Sequence, residues 1–233
     1  MIDSFKYPGD ELVLFQHAKH WKKYFSRQVR PYIKGDVLEV GAGIGSTTLL
    51  LNDGSAKQWL MLEPDEQMHL VLKEKTGSNL FPSNCRIQSG TIDGVSTMFD
   101  TIIYIDVLEH IENDVEEMKK AAGLLNKEGH IIVLAPAFQS LYSPFDKAIG
   151  HYRRYSKKKL KKIAPDGLKL MSCRYYDSIG YFASVMNKLF LRQKMPSLKQ
   201  VLFWDRWMVP VSTVTDKVFF HSFGKSIIAV WEK

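Results

Sequence analysis

Short apolar runs alternate with segments of helical spacing over most of the first 136 residues. One run, from Val37 to Val40, leads into a glycine-rich turn, and the next, from Gln58 to Glu63, ends in an acid followed by a proline. Runs of this length, bounded by glycine, proline and polar residues, are typical of buried strands. Their alternation with amphipathic stretches predicts a parallel, doubly wound sheet. The predicted strands of this region are 37–40, 58–63, 85–89, 100–105 and 129–136.

Both ends of the chain add to this alternating core. Residues 10–32 carry apolar side chains at helical spacing, which predicts an amphipathic N-terminal helix that ends near Pro31. Two further apolar runs, 168–176 and 225–231, predict a sixth and a seventh strand. The long segment 179–223 between them is rich in aromatic and methionine side chains. It predicts a mostly helical cover over a pocket, with a membrane-facing amphipathic surface as the alternative.

The composition is ordinary for a globular protein, since 45% of the 233 residues are hydrophobic and 24% are charged. The net charge of +7 is local: seven bases lie between Arg153 and Lys162, and outside this segment the 25 remaining basic residues equal the 25 acids. A general nucleic-acid binder is therefore disfavoured. Cys85 and Cys173 belong to no C-x-x-C or Cys/His cluster, so we expect neither a disulfide framework nor a zinc site and predict no metal ligands.

Targeting signals are not evident in the sequence. Met1 to Lys6 show no basic region followed by an apolar stretch, and no run approaches 18 uninterrupted apolar residues. We therefore expect a soluble, cytoplasmic protein without a signal peptide. The lysine-rich helix predicted over 156–163 is interpreted as a solvated face, with peripheral contact to an anionic membrane as the alternative.

The turn after the first strand carries the clearest chemical signal. Gly41, Gly43 and Gly45 permit backbone conformations closed to other residues and let a ligand approach the main chain. A helix follows whose first N–H groups would face that ligand. Glu39 lies inside the strand, where a buried carboxylate is costly without a cationic or hydrogen-bonding partner. A ligand with a sulfonium and an amino group, namely S-adenosylmethionine, would supply that partner.

Two strings of this sequence resemble motifs of the class I S-adenosylmethionine-dependent methyltransferases. The run E-V-G-A-G-I-G at 39–45 resembles motif I, and D-V-L-E-H at 106–110 resembles the end of the family's fourth strand. The resemblance implies an α/β fold with a Rossmann-like, doubly wound, seven-stranded sheet, mostly parallel with an antiparallel last strand. It also implies S-adenosyl-L-methionine as cofactor and S-adenosyl-L-homocysteine as product.

Two other classes of protein remain open at this point. An NAD-dependent dehydrogenase would explain the glycine spacing but neither Glu39 nor the D-V-L-E-H string. A non-catalytic S-adenosylmethionine-binding module of the same fold would explain every cofactor motif, because none of those motifs performs chemistry.

Positions at the ends of predicted strands supply further cofactor contacts, because ligands bind beyond the carboxyl ends of strands in such sheets. Glu63 ends the second strand, where an acid accepts hydrogen bonds from ribose hydroxyls. By resemblance, Ile92 and Asp93 match the family's adenine contacts, and Asp106 lies where the methionine part is bound. The predicted cofactor-binding residues are Glu39, Gly41, Ala42, Gly43, Gly45, Glu63, Pro64, Thr91, Ile92, Asp93, Asp106, Val107 and Leu108.

The string G-H-Y-R-R-Y at 150–155 is similar to one in a bacterial branch of these methyltransferases, a branch frequently associated with surface-polysaccharide or glycolipid genes. Its side chains offer guanidiniums for anions, tyrosines for stacking and an imidazole that accepts a proton near neutral pH. We expect His151 to be the general base, oriented by Asp146, with His110 as the second candidate. The predicted acceptor-binding residues are Tyr142, Tyr152, Arg153 and Arg154.

The sequence thus predicts methyl transfer by in-line attack of an acceptor oxygen or nitrogen on the cofactor's methyl carbon. A sugar hydroxyl, a lipid-linked saccharide and a small anionic metabolite all remain open as acceptors. One domain is predicted over 1–233. It comprises an N-terminal helical cap (1–34), a cofactor-binding core (35–137), an acceptor-side segment with a lid (138–224) and the last strand (225–233).

Overall fold

A seven-stranded sheet lies at the centre of the computed structural model, which describes residues 11–191 and 193–233. Its strands in chain order are β1 (Asp36–Val40), β2 (Gln58–Glu63), β3 (Cys85–Ser89), β4 (Phe99–Ile105), β5 (Leu125–Pro136), β6 (Lys169–Tyr176) and β7 (Ser226–Glu232). Their order across the sheet is β3-β2-β1-β4-β5-β7-β6. β7 runs antiparallel to both of its neighbours, and the other paired strands are parallel. The mostly parallel sheet with an antiparallel last strand is therefore confirmed.

Helices cover both faces of this sheet. Those that follow β1, β2 and β4 alternate with the strands, as the hydrophobic pattern predicts, and the others lie at the N-terminus and after β5. The α-helices in the described ranges are α1 (Glu11–Phe15), α2 (Lys19–Val29), α3 (Ser46–Leu51), α4 (Glu66–Gly77), α5 (Asp114–Gly123), α6 (Pro144–Ala148), α7 (Lys157–Ile163), α8 (Ser178–Met186), α9 (Leu198–Phe203) and α10 (Val209–Val218).

Two apolar layers form because successive strand residues point to opposite faces of the sheet. On one face Leu38 belongs to a buried cluster with Met118 of α5 and Leu160 of α7. On the other face its neighbour Val37 belongs to a second cluster with Trp21 of α2. The sheet is thus closed on both faces, and ligands can approach it at the carboxyl ends of the parallel strands.

The N-terminal helix is interrupted, which corrects the prediction of one continuous helix over 10–32. α1 ends at Phe15 and α2 begins at Lys19, where Asp205 of the insertion accepts hydrogen bonds from the backbone N–H groups of His20 and Trp21. A carboxylate at this position stabilises a new helix start. The first ten residues, on which the expected absence of a signal peptide and part of the predicted cap depend, lie outside the described residues.

The fifth strand begins earlier than the predicted range 129–136. α5 ends at Gly123, and β5 begins at Leu125. Leu125 pairs with Phe99 before a register shift, after which the regular ladder resumes at His130. The sequence pattern identified only this regular part of β5.

The insertion between β6 and β7 is mostly helical, as predicted. It contains α8, α9, α10 and two π-helical segments, Asn187–Leu191 and Trp204–Met208. Buried hydrogen bonds hold it in place: the Tyr24 hydroxyl donates to Asp216 at 2.9 Å, and the Trp204 indole donates to Asp177 at 2.7 Å. In the described part of the chain, no helix is both long enough and apolar enough to cross a membrane.

Candidate active site

A cleft of about 1210 Å³ opens at the carboxyl ends of the parallel strands, where α1, α2 and the helical insertion surround it. This volume exceeds the roughly 300–1,000 Å³ usual for one small-molecule ligand. Its lining includes the glycine turn after β1 and apolar residues of the insertion, among them Met186 and Phe203. The cleft is therefore larger than one small ligand needs.

The glycine turn needs glycine for steric reasons. Gly41 has φ +66°, and a Cβ on it would lie 2.7 Å from Cγ2 of Val107. Its N–H group donates to the carbonyl of Leu62 at 2.8 Å, which ties the turn to β2. Gly41, Ala42 and Gly43 line the cleft. The main chain is consequently open to a ligand at this turn.

Gly45 also needs to be glycine for steric reasons. A Cβ on Gly45 would lie 2.4 Å from the ring of Phe81 and 2.9 Å from Leu72. The cleft lining includes the neighbouring residues Ile44 and Ser46, whereas Gly45 packs against these apolar side chains. Its conformation, φ +78°, and its close packing explain the glycine, and its predicted cofactor contact stays a prediction.

Glu63 lies at the carboxyl end of β2 and lines the cleft beside Pro64. One carboxylate oxygen accepts from the N–H of Gly43 at 2.7 Å and the other from that of Asp65 at 2.8 Å. Burial raises the pKa of Glu63, and these two hydrogen bonds oppose that rise. Each carboxylate oxygen has a second lone pair for a further donor. Glu63 therefore suits the predicted ribose role, which stays a prediction.

Glu39 does not face the positively charged ligand that its position inside the strand suggested. Its side chain is only 2% exposed, and one carboxylate oxygen accepts hydrogen bonds from the Thr48 hydroxyl at 2.6 Å and the Trp59 indole at 2.8 Å. The residues that line the cleft in the described ranges do not include Glu39. Because two neutral donors satisfy this carboxylate, it supports the turn from beneath and requires no cationic ligand.

A Glu39→Gln variant is expected to be more stable than the wild type above pH 7. Burial raises the pKa of Glu39 to about 7, although the bonds from Thr48 and Trp59 oppose the rise. The folded state thus retains a proton that the unfolded state loses near pH 4.5, so wild-type stability falls between these values, by about 3 kcal/mol. Glutamine keeps the acceptor oxygen and removes the charge.

The measurement is the melting temperature of both proteins by circular dichroism from pH 4 to pH 9. The difference should be small at pH 4, grow through pH 7 and then level off. Glu74→Gln, a change at an exposed helical position, serves as the control. A constant difference at every pH would contradict the assigned environment of Glu39.

The ends of β3 and β4 supply further lining residues. Thr91, Ile92 and Asp93 all line the cleft, and Asp93 forms a 2.5 Å ion pair with Lys120 of α5. Ile92 is almost fully buried, so it offers one apolar surface to a ligand. This arrangement is compatible with the predicted adenine contacts, which remain a prediction.

Asp106 and Val107 also line the cleft. Leu108 does not belong to the cleft lining in the described ranges of the chain. Asp106 has φ +53°, a conformation that an L-residue rarely adopts and that is frequent at functional sites. The side chain of Leu108 is fully buried in the apolar layer beside α5. The Leu108 side chain therefore completes the core beneath the site, and its predicted cofactor contact stays a prediction.

Asp106, Glu109, His110 and His151 meet on the cleft wall, and we refer to them as the acid–imidazole group. The Nδ1–H of His151 donates to Oδ1 of Asp146 at 2.9 Å, and Nε2 of His151 lies 3.7 Å from Oε1 of Glu109. The two imidazole rings meet edge to face with centroids 4.6 Å apart. The predicted pairing of His151 with Asp146 is thus present in the structure.

Protonation within this group departs from ordinary values. Burial, with the neighbouring His151, lowers the pKa of His110 to about 3, so His110 is a neutral imidazole and a weak proton acceptor. Desolvation in the cleft raises the pKa of Asp106 to about 6, against the attraction of His151 and Lys225. Burial and the charge of Asp106 raise the pKa of Glu109 well above its usual range. The second candidate base, His110, is therefore poorly suited to that role.

The predicted acceptor-binding arginines are occupied by partners within the protein. Arg153 forms a 3.0 Å ion pair with Asp114 and donates to the carbonyls of Ile111 and Glu112. Arg154 lines the cleft, but its Nε and one terminal nitrogen both donate to the carboxylate of Asp146, at 2.7 and 2.9 Å. Both guanidiniums thus have carboxylate partners within the protein, and their predicted contact with an anionic acceptor stays a prediction.

The two predicted tyrosines also serve other purposes. The Tyr142 hydroxyl donates to the carbonyl of His151 at 2.6 Å, which supports the His151 backbone. Tyr152 is 52% exposed and lies with Arg153 along a separate shallow depression. Neither tyrosine is among the cleft-lining residues in the described ranges.

Lys225 is a cleft residue that the sequence analysis missed. Its ammonium lies 3.6 Å from the centre of the Trp204 ring and 3.8 Å from Asp177. Burial lowers the pKa of Lys225, against the attraction of Asp177. The available signal was the direction of β7, because an antiparallel last strand begins at the edge where the parallel strands end.

Comparisons with known proteins agree with this geometry. Residues 38–131 match the family model of a methyltransferase domain, and no curated protein matches the chain. Three similar solved structures are an S-adenosylmethionine-dependent methyltransferase from Clostridium acetobutylicum (13% identity, TM-score 0.60, 96% of this chain and 95% of that one), a coclaurine N-methyltransferase bound to N-methylheliamine and SAH (12%, 0.60, 93% and 72%) and the [4+2]-cyclase SpnF (13%, 0.64, 100% and 87%). At these identities the likeness shows the fold, and the reaction depends on the site.

Proposed function

We propose that the chain is a class I S-adenosylmethionine-dependent methyltransferase that methylates an oxygen or nitrogen of an amphiphilic acceptor such as a lipid-linked saccharide. The methyltransferase-domain model that matches residues 38–131 and the likeness in fold to such an enzyme support this proposal. The observation that carries this proposal is the lining of the cleft. The same cavity is lined by the glycine turn, by the acid–imidazole group and by apolar residues of the insertion.

Several cleft-lining groups suit S-adenosylmethionine. The turn at 41–43 exposes main chain, Glu63 offers carboxylate oxygens to hydroxyl donors, and Ile92 presents an apolar surface. S-adenosylmethionine supplies a methyl group already activated by a sulfonium. The protein then needs to align the acceptor with that group and keep water out.

The acceptor end is apolar on the inside and on its rim. Phe203 both lines the cleft and is exposed to solvent, and Phe182, Phe190 and Trp207 expose large rings nearby in the insertion. Contiguous exposed apolar side chains mark binding surfaces. A small anionic metabolite is the weaker alternative, because Arg153 and Arg154 are paired internally.

The basic helix α7 gives additional support for an acceptor at a lipid surface. Lys158, Lys161 and Lys162 are exposed, while Lys157 and Lys159 lie over tyrosine rings. Exposed lysines attract anionic lipids by about 1 kcal/mol each near the surface. Co-sedimentation with anionic vesicles but not with neutral ones would support this peripheral contact.

In the proposed reaction, the acceptor's hydroxyl or amine lies against the acid–imidazole group. The Nδ1–H of His151 donates to Asp146, and Nε2 of His151 faces Glu109. When no ion is bound, Nε2 is therefore the ring nitrogen available to accept the proton of the acceptor. Residues of the insertion line the site, and we expect them to limit the access of water.

The test is transfer of a tritiated methyl group to three matched acceptors: a saccharide diphosphate with a polyprenyl tail, the same saccharide without the tail, and a small hydroxy acid. The tailed acceptor should have a kcat/KM at least about tenfold higher, since two buried methylene groups already contribute that much. Phe203→Ser should reduce this preference. Leu80→Ser, which removes an exposed leucine outside the cleft, should not.

Equal rates for the tailed and tail-less saccharides would contradict the amphiphilic acceptor. Tight binding of S-adenosylhomocysteine by calorimetry without transfer to any acceptor would favour the non-catalytic module. Binding of NAD instead of S-adenosylhomocysteine would favour the dehydrogenase.

A further inference from the structure

Glu109 has a buried carboxylate to which no side chain donates a hydrogen bond in the described part of the protein. The residue is 0% exposed, and the nitrogen Nε2 of His151 lies 3.7 Å from Oε1, beyond hydrogen-bond distance. Leaving a buried carboxylate unsatisfied is costly, so such a group takes up a proton or faces a cation. Glu109 lies on the cleft wall, where a cation could reach it.

Two imidazoles complete a set of three potential ligands. One ligand atom each from Glu109, His110 and His151 lies within 4.8 Å of the other two. We propose that these three residues bind a divalent first-row transition metal of the zinc type, which activates the acceptor. This inference rests on the proposed methyl transfer and specifies how its acceptor oxygen or nitrogen loses a proton.

The chemistry of the ligands selects the kind of metal. Two imidazole nitrogens and one carboxylate form the usual protein ligand set of a catalytic zinc ion, and they also suit other first-row transition metals with an open position. Magnesium and calcium prefer oxygen ligands and retain water or take many carboxylates and carbonyls. Three protein ligands leave a fourth position open for the acceptor.

The residues behind the ligands orient them as in known metal sites. His151 donates its Nδ1–H to Asp146, which Arg154 holds by two hydrogen bonds, so Nε2 of His151 points toward Glu109. His110 makes a hydrogen bond with the backbone of Gly150. A metal-binding histidine almost always donates its second ring N–H to a carboxylate or a carbonyl in this way.

The distances require little rearrangement. Tetrahedral coordination at zinc–ligand distances near 2.0–2.1 Å separates the ligand atoms by about 3.4 Å. Nε2 of His151 and Oε1 of Glu109 are already 3.7 Å apart. The third ligand has to approach by on the order of an ångström, which a rotamer adjustment on the open cleft wall can supply.

With the cation bound, His151 is a metal ligand and no longer the proton acceptor, so the cation has to make the acceptor acidic. A hydroxyl at the open position is polarised by the metal, so its proton leaves to Asp106 or to cleft water at neutral pH. The resulting oxygen attacks the methyl carbon, the carbon–sulfur bond breaks, and its electron pair stays on sulfur as S-adenosylhomocysteine. The sequence predicts no metal ligands because it contains no local Cys/His cluster. His110 and His151 lie far apart along the chain, after β4 and after α6.

The test begins with enzyme dialysed against EDTA. Calorimetry with Zn²⁺ should show one equivalent bound, and Co²⁺ should produce the visible absorption of a four- or five-coordinate site. Glu109→Gln and His151→Gln should each weaken Zn²⁺ binding at least about tenfold. Glu112→Gln and His17→Gln, which change exposed side chains, should have no effect. Retained S-adenosylhomocysteine binding shows that each variant is folded.

The results also separate this inference from the proposed function. Absence of Zn²⁺ and Co²⁺ binding to the wild type, or binding that Glu109→Gln leaves unchanged, would overturn the metal site. Full methyl transfer by metal-free enzyme would overturn the role of the cation and leave the proposed function intact. Metal binding that depends on Glu109, without transfer to any acceptor, would support the site and contradict the proposed function.

Discussion

A His151→Gln variant is expected to transfer methyl groups about 10²–10⁴ times more slowly than the wild type. Nε2 of His151 is the only ring nitrogen of this residue not held by Asp146, and it faces the cleft wall beside Glu109. Glutamine provides neither a proton-accepting imidazole nor an imidazole ligand. The affinity for S-adenosylhomocysteine should change little, because the hydrogen bonds that hold the glycine turn and Glu63 do not involve His151.

The measurements are single-turnover methyl transfer and calorimetric titration with S-adenosylhomocysteine, with His17→Gln as the control. Unchanged turnover would remove His151 from the mechanism. If the wild type binds Zn²⁺ and the variant does not, the slow reaction reports loss of a metal ligand. If neither protein binds Zn²⁺, the same loss of rate identifies His151 as the proton acceptor.

The sheet could be predicted from sequence because each strand has a local signature. Apolar runs such as Val37 to Val40 end at glycine, proline or acid, and a parallel sheet requires helices between them. The break between α1 and α2 could not be predicted in this way. It depends on Asp205, which lies more than 180 positions away along the chain and accepts hydrogen bonds from the first turn of α2.

The convergence of Gly41, Glu63 and Asp106 on one cleft was predictable for the same local reason, because all three follow or end strands at one edge of the sheet. Charged side chains were harder to assign, because their partners within the protein are not local. Arg154 is neutralised by Asp146, and Glu39 is satisfied by Thr48 and Trp59. A sequence motif shows which charges are present, and only the fold shows which of them remain available to a ligand.

The side chains around the acid–imidazole group were also hard to assign from sequence, because they come from distant parts of the chain. Glu109 belongs to a recognisable string, yet the string alone does not place His151 beside it. Lys225 carries no motif at all and reaches the cleft because β7 is antiparallel. Non-local convergence of this kind is what makes a site chemically distinctive, and the pattern along the chain does not encode it in a readable form.

Replacement of Asp146 by alanine is expected to destabilise the protein by about 3–5 kcal/mol, the usual cost of leaving a buried charge unpaired. Asp146 is fully buried and accepts hydrogen bonds from Arg154, His151 and Ser143. Burial disfavours its charge, but the bonds from His151 and Arg154 outweigh burial and lower the pKa of Asp146 to about 2. A lowered pKa means that this stabilisation is complete above the unfolded pKa near 4 and is lost only as the pH falls toward 2.

Urea unfolding at pH 7 and at pH 3 measures both features, and the loss caused by Asp146→Ala should be smaller at pH 3. The matched variant is Asp146→Ala combined with Arg154→Met, which removes both charges. It should be more stable than Asp146→Ala alone, because an uncompensated guanidinium costs more than an apolar replacement of the pair. If the double variant is less stable than Asp146→Ala alone, Arg154 has another stabilising partner. The ion pair between Asp146 and Arg154 would then not be what holds His151 in place. Recovered stability without recovered methyl transfer would instead show that Asp146 also orients His151 for the reaction, since alanine restores no hydrogen bond to Nδ1.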